Sequence, residues 1–176
     1  MNGVVLSVVA ELSDVLRSEL TTCWLDVANA GGPVGFPFIP VLRAPVAEAV
    51  ADLEEEIDSG DVVLFQARLG ESLAGWVILR LNRSRLTAHW ATVERLQSHP
   101  SCRGAGVGDA LLEFVTEHAR NIGLEQLKLV VRSGEGLESF YQRRGWLESG
   151  RHQNALRLAE GDDRDEVFMS IRVQAV

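Results

Sequence analysis

The stretch CRGAGVGDALL, residues 102–112, decides how this chain is read. Glycines fall at every second position, Gly104, Gly106 and Gly108, and a helical apolar pattern begins directly behind them. Glycine lets backbone amides approach a ligand with no side chain in the way. A helix starting at this point presents its first free N–H groups and a partial positive charge. Together these make an anion site, most naturally for phosphate. Arg103 adds a full charge at the entrance. Two familiar phosphate loops fail on spacing. A P-loop closes on Gly-Lys-Ser/Thr, whereas Gly-Asp stands here. A dinucleotide loop needs glycine at the sixth position counted from Gly104, which is Asp109. The preceding SHPSC is also too polar and too proline-broken to end a buried parallel strand.

The segment before the loop, LTAHWATVERLQSHP (86–100), reads as a strand with a fault in it. Val93 to Leu96 is an odd step and Leu96 to Ser98 an even one. If Val93 and Leu96 both face the core, one extra residue must be accommodated near Glu94–Arg95, which is a β-bulge. A bulge frees backbone N–H and C=O groups, and these can pair with an amide-bearing ligand as an added strand would.

Working outward, the periodicity predicts an α/β domain with a mixed sheet in the order β-α-α-β-β-β-α-β-α-(β)-β. VVLSVV (4–9) reads as a strand. Ser13 can cap a helix running to about Ala30, with Val15, Leu16, Leu20, Trp24 and Val27 at helical spacing. GGPVGFPFIP (31–40) breaks all regularity. A second helix carries Val46, Val50, Leu53 and Ile57 on one stripe, with the acids of LEEEID as a solvated face, and stops at Gly60. DVVLFQARL and SLAGWVILRLN read as consecutive strands joined at Gly70. The helix behind the glycine loop carries Val107, Leu111, Phe114, Val115 and Ile122. EQLKLVVRS (125–133) is a further strand, a short helix covers about 136–144, and EVFMSIRV (166–173) closes the chain as a strand.

Composition excludes more than it selects. The 176 residues fit one domain and suffice for a substantial core. A net charge of −8 argues against a nucleic-acid or anionic-membrane binder and is compatible with a cationic small substrate. No run is long and apolar enough to span a bilayer. The N-terminal apolar stretch has no preceding Lys or Arg, so it is read as a strand rather than a signal peptide, and the expected location is cytoplasmic. Cys23 and Cys102 are isolated, and no Cys/His cluster suggests a metal. Cys23 reads as a small buried residue.

At this point the residues resemble the GCN5-related N-acetyltransferases (the GNAT family). That family's pyrophosphate loop, Q/R-x-x-G-x-G/A, is matched by Arg103, Gly104, Ala105, Gly106, Val107 and Gly108. The strand ending in a proline three residues earlier is matched by Leu96, Gln97, Ser98, His99 and Pro100. The family's tyrosine helix and Gly-aromatic pair are matched by FYQRRGW, with Tyr141, Gly145 and Trp146. More weakly, ANAGGPVGF (28–36), ATVERLQSHPSCRGAGVG (91–108) and GEGLESFYQRRGW (134–146) are similar to tabtoxin-resistance acetyltransferases. Two positions depart from the family pattern: Ser98 stands where valine is frequent, and Gly134 where asparagine is frequent.

The resemblance implies a single N-acetyltransferase domain over 1–176, with a mostly antiparallel sheet flanked by helices. It implies acetyl-CoA as cosubstrate, with its pyrophosphate on the amides of residues 104–108 and its pantetheine arm along Leu96, Gln97 and Ser98. The Leu96 N–H would polarise the thioester carbonyl as an oxyanion hole does. The expected activity is acetyl transfer by direct attack to the primary amine of a small molecule, such as an amino acid or an antibiotic- or toxin-like amine. The alternatives are a protein N-terminal or lysine acetyltransferase and a non-catalytic acyl-CoA sensor. Tyr141, the sole tyrosine, is the expected general acid for a thiolate leaving group. Glu94, at the expected bulge, is the candidate base, with His89, His99 or water as alternatives. Phe36 and Phe38 are the expected acceptor-binding residues of the proline-rich loop. No metal is expected. A sheet edge near the C-terminal strand could pair in a homodimer.

Overall fold

A computed structural model describes residues 3–36 and 38–173. The chain ends and Pro37 of the loop expected at 31–40 lie outside the described residues. The elements are β1 (Val5–Val9), α1 (Asp14–Asn29), α2 (Arg43–Asp58), β2 (Val62–Leu69), β3 (Ser72–Leu81), β4 (Trp90–Ser98), a 3₁₀ turn (Pro100–Cys102), α3 (Val107–Asn121), β5 (Gln126–Arg132), α4 (Leu137–Gln142), β6 (Leu147–Ala159) and β7 (Asp162–Arg172). The expected order therefore holds. The seven strands form one sheet, β1-β2-β3-β4-β5-β7-β6. Every neighbouring pair is antiparallel except β4 with β5.

Local chemistry explains the boundaries. The Ser13 hydroxyl accepts from the Leu16 N–H at 3.2 Å and caps α1. Pro45 sits in the first turn of α2, where a missing N–H costs nothing. Helix α4 is shorter than expected, because Gly136 before it is left-handed (φ 75°) and Gly145 (φ 84°) turns the chain soon after it. β6 and β7 form a hairpin longer than the apolar pattern suggests. Its polar strands are tied by Arg157–Asp163 at 2.7 Å and Arg151–Asp165 at 2.9 Å.

The sheet separates two apolar layers. On one face, alternate residues of the strands, among them Phe65, Val77, Leu79, Ala91, Val93, Leu129 and Met169, pack with α3 and α4. On the other face, Leu64, Trp76 and Ile78 pack with α1 and α2 through Leu20, Trp24, Val46 and Val50. Val15, expected on the apolar stripe of α1, is solvent-exposed. The acids of α2 are only partly a solvated face: Glu54 pairs with Arg17, and Glu56 with Arg80 at 2.9 Å. The C-terminal strand β7 lies inside the sheet, so the edges belong to β1 and β6. No described helix is long and apolar enough to cross a membrane.

Candidate active site

The site begins where β4 stops following its neighbours. Against β3, Trp76 faces Gln97 but Ile78 faces Glu94, so β4 holds one residue more than β3 across this step. That is the expected bulge, and Arg95 turns it with φ 56°, a left-handed conformation uncommon for a residue with a side chain. Val93 and Leu96 both reach the α3 layer as a result. Against β5, pairing is confined to Trp90, Ala91 and Thr92 with Gln126, Leu127 and Lys128. Beyond it the strands diverge, and Arg95 and Leu96 have no register partner on either side.

The divergence opens a cavity of about 690 Å³. Its walls are Thr92–Ser98 of β4, Leu129–Arg132 of β5, Leu137 and Tyr141 of α4, loop residues 33–36, and the overhanging 155–158 segment of β6. A gap of this kind exposes backbone N–H and C=O groups on two facing strand edges, which must find partners.

The glycine loop stands at the end of β4. Gly104 (φ 79°) and Gly106 (φ 75°) are left-handed, and Gly106 caps α3. The first helical bond runs from the Ala110 N–H to the Gly106 carbonyl at 3.0 Å. The amides of Val107, Gly108 and Asp109 thus precede any intrahelical acceptor. Arg103 through Gly106 are exposed, while Val107 is buried. A residue not flagged by the sequence, Gly75, holds this region together. A Cβ there would stand 2.4 Å from the Gln97 carbonyl oxygen and 2.7 Å from Val107 Cγ1. Its lack of side chain lets β3, β4 and the start of α3 meet.

Tyr141 is 7% exposed and lies on the cavity wall. Its ring meets Phe140 and Trp146 edge-on at 5.0 and 5.7 Å. Burial pushes its phenol up to about 12, with Arg144 opposing. Arg144 stacks on Phe140 at 3.7 Å and pairs with Asp109 in the first turn of α3, tying α4 to the glycine loop. Gly134, where the family frequently has asparagine, is left-handed at φ 85°, and the Arg164 guanidinium occupies the space a side chain would take.

Glu94 also lines the cavity. Its carboxylate accepts from Arg80 Nε at 2.9 Å and Nη2 at 3.2 Å, and the same guanidinium donates to both oxygens of Glu56 at 2.9 and 3.0 Å. One cation between two carboxylates leaves the trio with a net charge of about −1. The histidines named as alternative bases fall just outside β4 and do not line the cavity. His99 Nε2 lies 3.0 Å from Asp26, and its Nδ1 accepts from the Ser101 N–H at 3.2 Å. Phe36 lines the cavity and meets Trp24 edge-on at 5.5 Å, whereas Phe38 is 72% exposed and stands outside the wall. Arg95, which the sequence marked only as part of the bulge, projects along the cavity wall over the Trp24 ring at 4.4 Å. No group of three metal-ligating side chains occurs among the described residues.

The acetyltransferase (GNAT) domain model matches residues 41–157, well over half of the chain. Solved structures with the same fold include the ribosomal-protein-S18-alanine N-acetyltransferase of Escherichia coli (17% identity, TM-score 0.71, covering 98% of this chain and 96% of that one). They also include the ribosomal-protein-alanine N-acetyltransferase of Brucella melitensis (15%, 0.75, 96% and 99%). A third is an N-acetyltransferase of Staphylococcus aureus Mu50 (14%, 0.73, 97% and 99%). A comparison with curated proteins finds no match. The chain belongs to the GNAT family and is an acyltransferase enzyme.

Proposed function

We propose that residues 1–176 form one N-acetyltransferase domain that moves an acetyl group from acetyl-CoA to the primary amine of a small molecule by direct attack. The observation that carries this reading is the divergence of β4 from β5 after Thr92 and Lys128, which opens a cavity between the glycine loop's strand and Tyr141. The residues fit the cosubstrate. Left-handed Gly104 and Gly106, with the leading amides of α3, suit a pyrophosphate. The cavity-lining edge of Leu96, Gln97 and Ser98 suits the amides of a pantetheine arm.

Acetyl-CoA supplies an activated thioester carbonyl. The Leu96 N–H, freed by the bulge, donates to that carbonyl oxygen as negative charge develops there. Tyr141 gives its proton to the departing thiolate. The phenol, pushed up to about 12 by burial, is fully protonated at neutral pH and so has a proton to give. Glu94, with net negative charge around it, draws the substrate ammonium in and takes its proton directly or through water. Phe36 forms an apolar border to the acceptor space, and Phe38, outside the wall, belongs to the loop's outer surface.

The net charge of −8 and the acidic Glu94–Arg80–Glu56 trio support a small cationic amine as the acceptor. The test is thiol release from acetyl-CoA over a panel of small amines and N-terminal peptides. Turnover with small amines above peptides is expected. Preference for peptides would overturn the acceptor class, and acetyl-CoA binding without thiol release for any amine would overturn the catalytic reading.

A further inference from the structure

The cavity holds a cation that the proposed chemistry does not use. Arg95 lines the wall, yet no carboxylate lies within ion-pairing distance of it among the described residues. The adjacent Glu94 is committed to Arg80. Arg95 stays exposed on this wall, so its unpaired guanidinium is open to an incoming anion, and contact with the wall lowers its pKa against the raising influence of Glu94 and Glu56.

Its backbone is equally unusual. A left-handed residue with a side chain costs about 1–2 kcal/mol, and such strain concentrates at functional positions. Here the conformation aims Arg95 to one side of the bulge. It lands face-on over Trp24, 4.4 Å from the ring, with Nη1 3.4 Å from where a Cβ of Gly35 would be. The platform is itself fixed. Trp24 Nε1 donates to the Val34 carbonyl at 2.8 Å, and the ring meets Phe36 and Trp76 edge-on. A guanidinium stacked on an indole keeps its in-plane N–H donors free, and that fork matches a carboxylate. A free cation in a cavity that also holds the Glu94 carboxylate and the Tyr141 phenol complements a substrate carrying both a carboxylate and an amine.

We infer that Arg95 is a specificity-determining residue that anchors the carboxylate of an α-amino-acid-type acceptor, presenting its amine toward the Glu94 and Tyr141 side of the cavity. This rests on the acetyltransferase reading above and narrows its substrate class.

The test compares α-amino acids with their α-amides and with the corresponding decarboxylated amines, by thiol release, for wild type and for Arg95→Gln, Arg95→Lys and Arg95→Gly. Wild type should prefer the free acid by roughly 10-fold in kcat/KM, the scale of one charge-assisted hydrogen-bonded contact on an exposed wall. Arg95→Gln should collapse that preference toward one, and Arg95→Lys should retain only part of it. Arg95→Gly accepts the left-handed backbone without strain, so it gives the answer even if the glutamine variant folds poorly. Wild type acetylating amides as readily as acids, or variants losing both equally, would overturn the inference and leave the acetyltransferase reading standing. No acetylation of any amine, with acetyl-CoA still bound, would remove both.

Discussion

Gly75 passes beneath the backbone of Gln97 so closely that a Cβ on it would stand 2.4 Å from the Gln97 carbonyl oxygen. The second obstacle, Val107 Cγ1 at 2.7 Å, belongs to the first residue of α3. Neither is the far end of a flexible side chain, so Gly75→Ala must push β4 or α3 outward. The expected cost is about 1–3 kcal/mol, as for other overpacked sites. At roughly 2–4 °C of Tm per kcal/mol for a chain of this size, thermal unfolding resolves it. An unchanged Tm would mean that β4 yields without cost.

Gly106 tests the loop by a different route. Nothing lies within 4 Å of where its Cβ would be, so the first atom of a Gly106→Val side chain enters open space. It must instead hold a branched side chain at φ 75° and fill the space over the free amides of α3. The left-handed penalty alone is about 1–2 kcal/mol, which corresponds to a roughly tenfold rise in KM for acetyl-CoA if the loop must adopt this shape to bind. Gly123→Ala, also at positive φ (82°) but at the far end of α3, should lower stability without moving that KM. Equal KM values for both variants would remove the loop from the cosubstrate site.

Much of this architecture was legible in the sequence because its signals are local. The glycine spacing, the serine cap and the odd step between Val93 and Leu96 each dictate backbone geometry within a few residues. What escaped was set by partners distant in the chain. Gly75 shows no local reason to be glycine until β4 and α3 are laid against it. Arg95 reads as a surface arginine until the bulge swings it over Trp24, 71 positions away in sequence. The polar strands of the β6–β7 hairpin carry no alternation because ion pairs, rather than a buried face, hold them in register. Phe38 looked equivalent to Phe36, but only Phe36 has an aromatic neighbour drawing it inward.

Glu94→Gln separates chemistry from folding. Arg80 keeps both bonds to Glu56, so the guanidinium stays paired when Glu94 loses its charge. Stability should change little, since the site is half-exposed and such pairs contribute modestly. The amine's proton, however, loses its acceptor, and kcat/KM for the amine should fall roughly 100-fold, the lower range for general-base loss. Steady-state kinetics beside urea denaturation check this. Full activity in the variant would assign the proton to water alone.

Tyr141→Phe removes one oxygen from a ring held edge-on between Phe140 and Trp146. Packing is preserved, so kcat should fall roughly 100-fold with KM for acetyl-CoA nearly unchanged. The phenol stays protonated until about pH 12. The wild-type kcat profile should therefore show no descending limb from this residue between pH 7 and 10. An alkaline fall that disappears in Tyr141→Phe would contradict the burial-raised pKa.

The two buried acids also set how the fold fails in base. Cys23, 2% exposed, has its thiol pushed up from 9.0 to about 12 by burial, with Asp26 adding to the shift. Tyr141 rises from 10.0 to about 12 for the same leading reason. Between pH 9 and 12 the native state therefore holds protons that the unfolded chain has released. Stability changes with pH in proportion to protons bound by the unfolded state minus those bound by the native state, which is negative here. The contribution of each group is complete below its unfolded pKa and is lost as pH climbs through the folded one. Urea denaturation should show a constant contribution from both at pH 8, a decline beginning near pH 9 from Cys23, and a steeper one above pH 10 when Tyr141 joins. Cys23→Ala should delay the onset by about a pH unit, and Tyr141→Phe should leave the onset in place but flatten the slope above pH 10. A Cys23→Ala variant that unfolds in base on the wild-type curve would show the thiol to be no more desolvated in the fold than in the open chain.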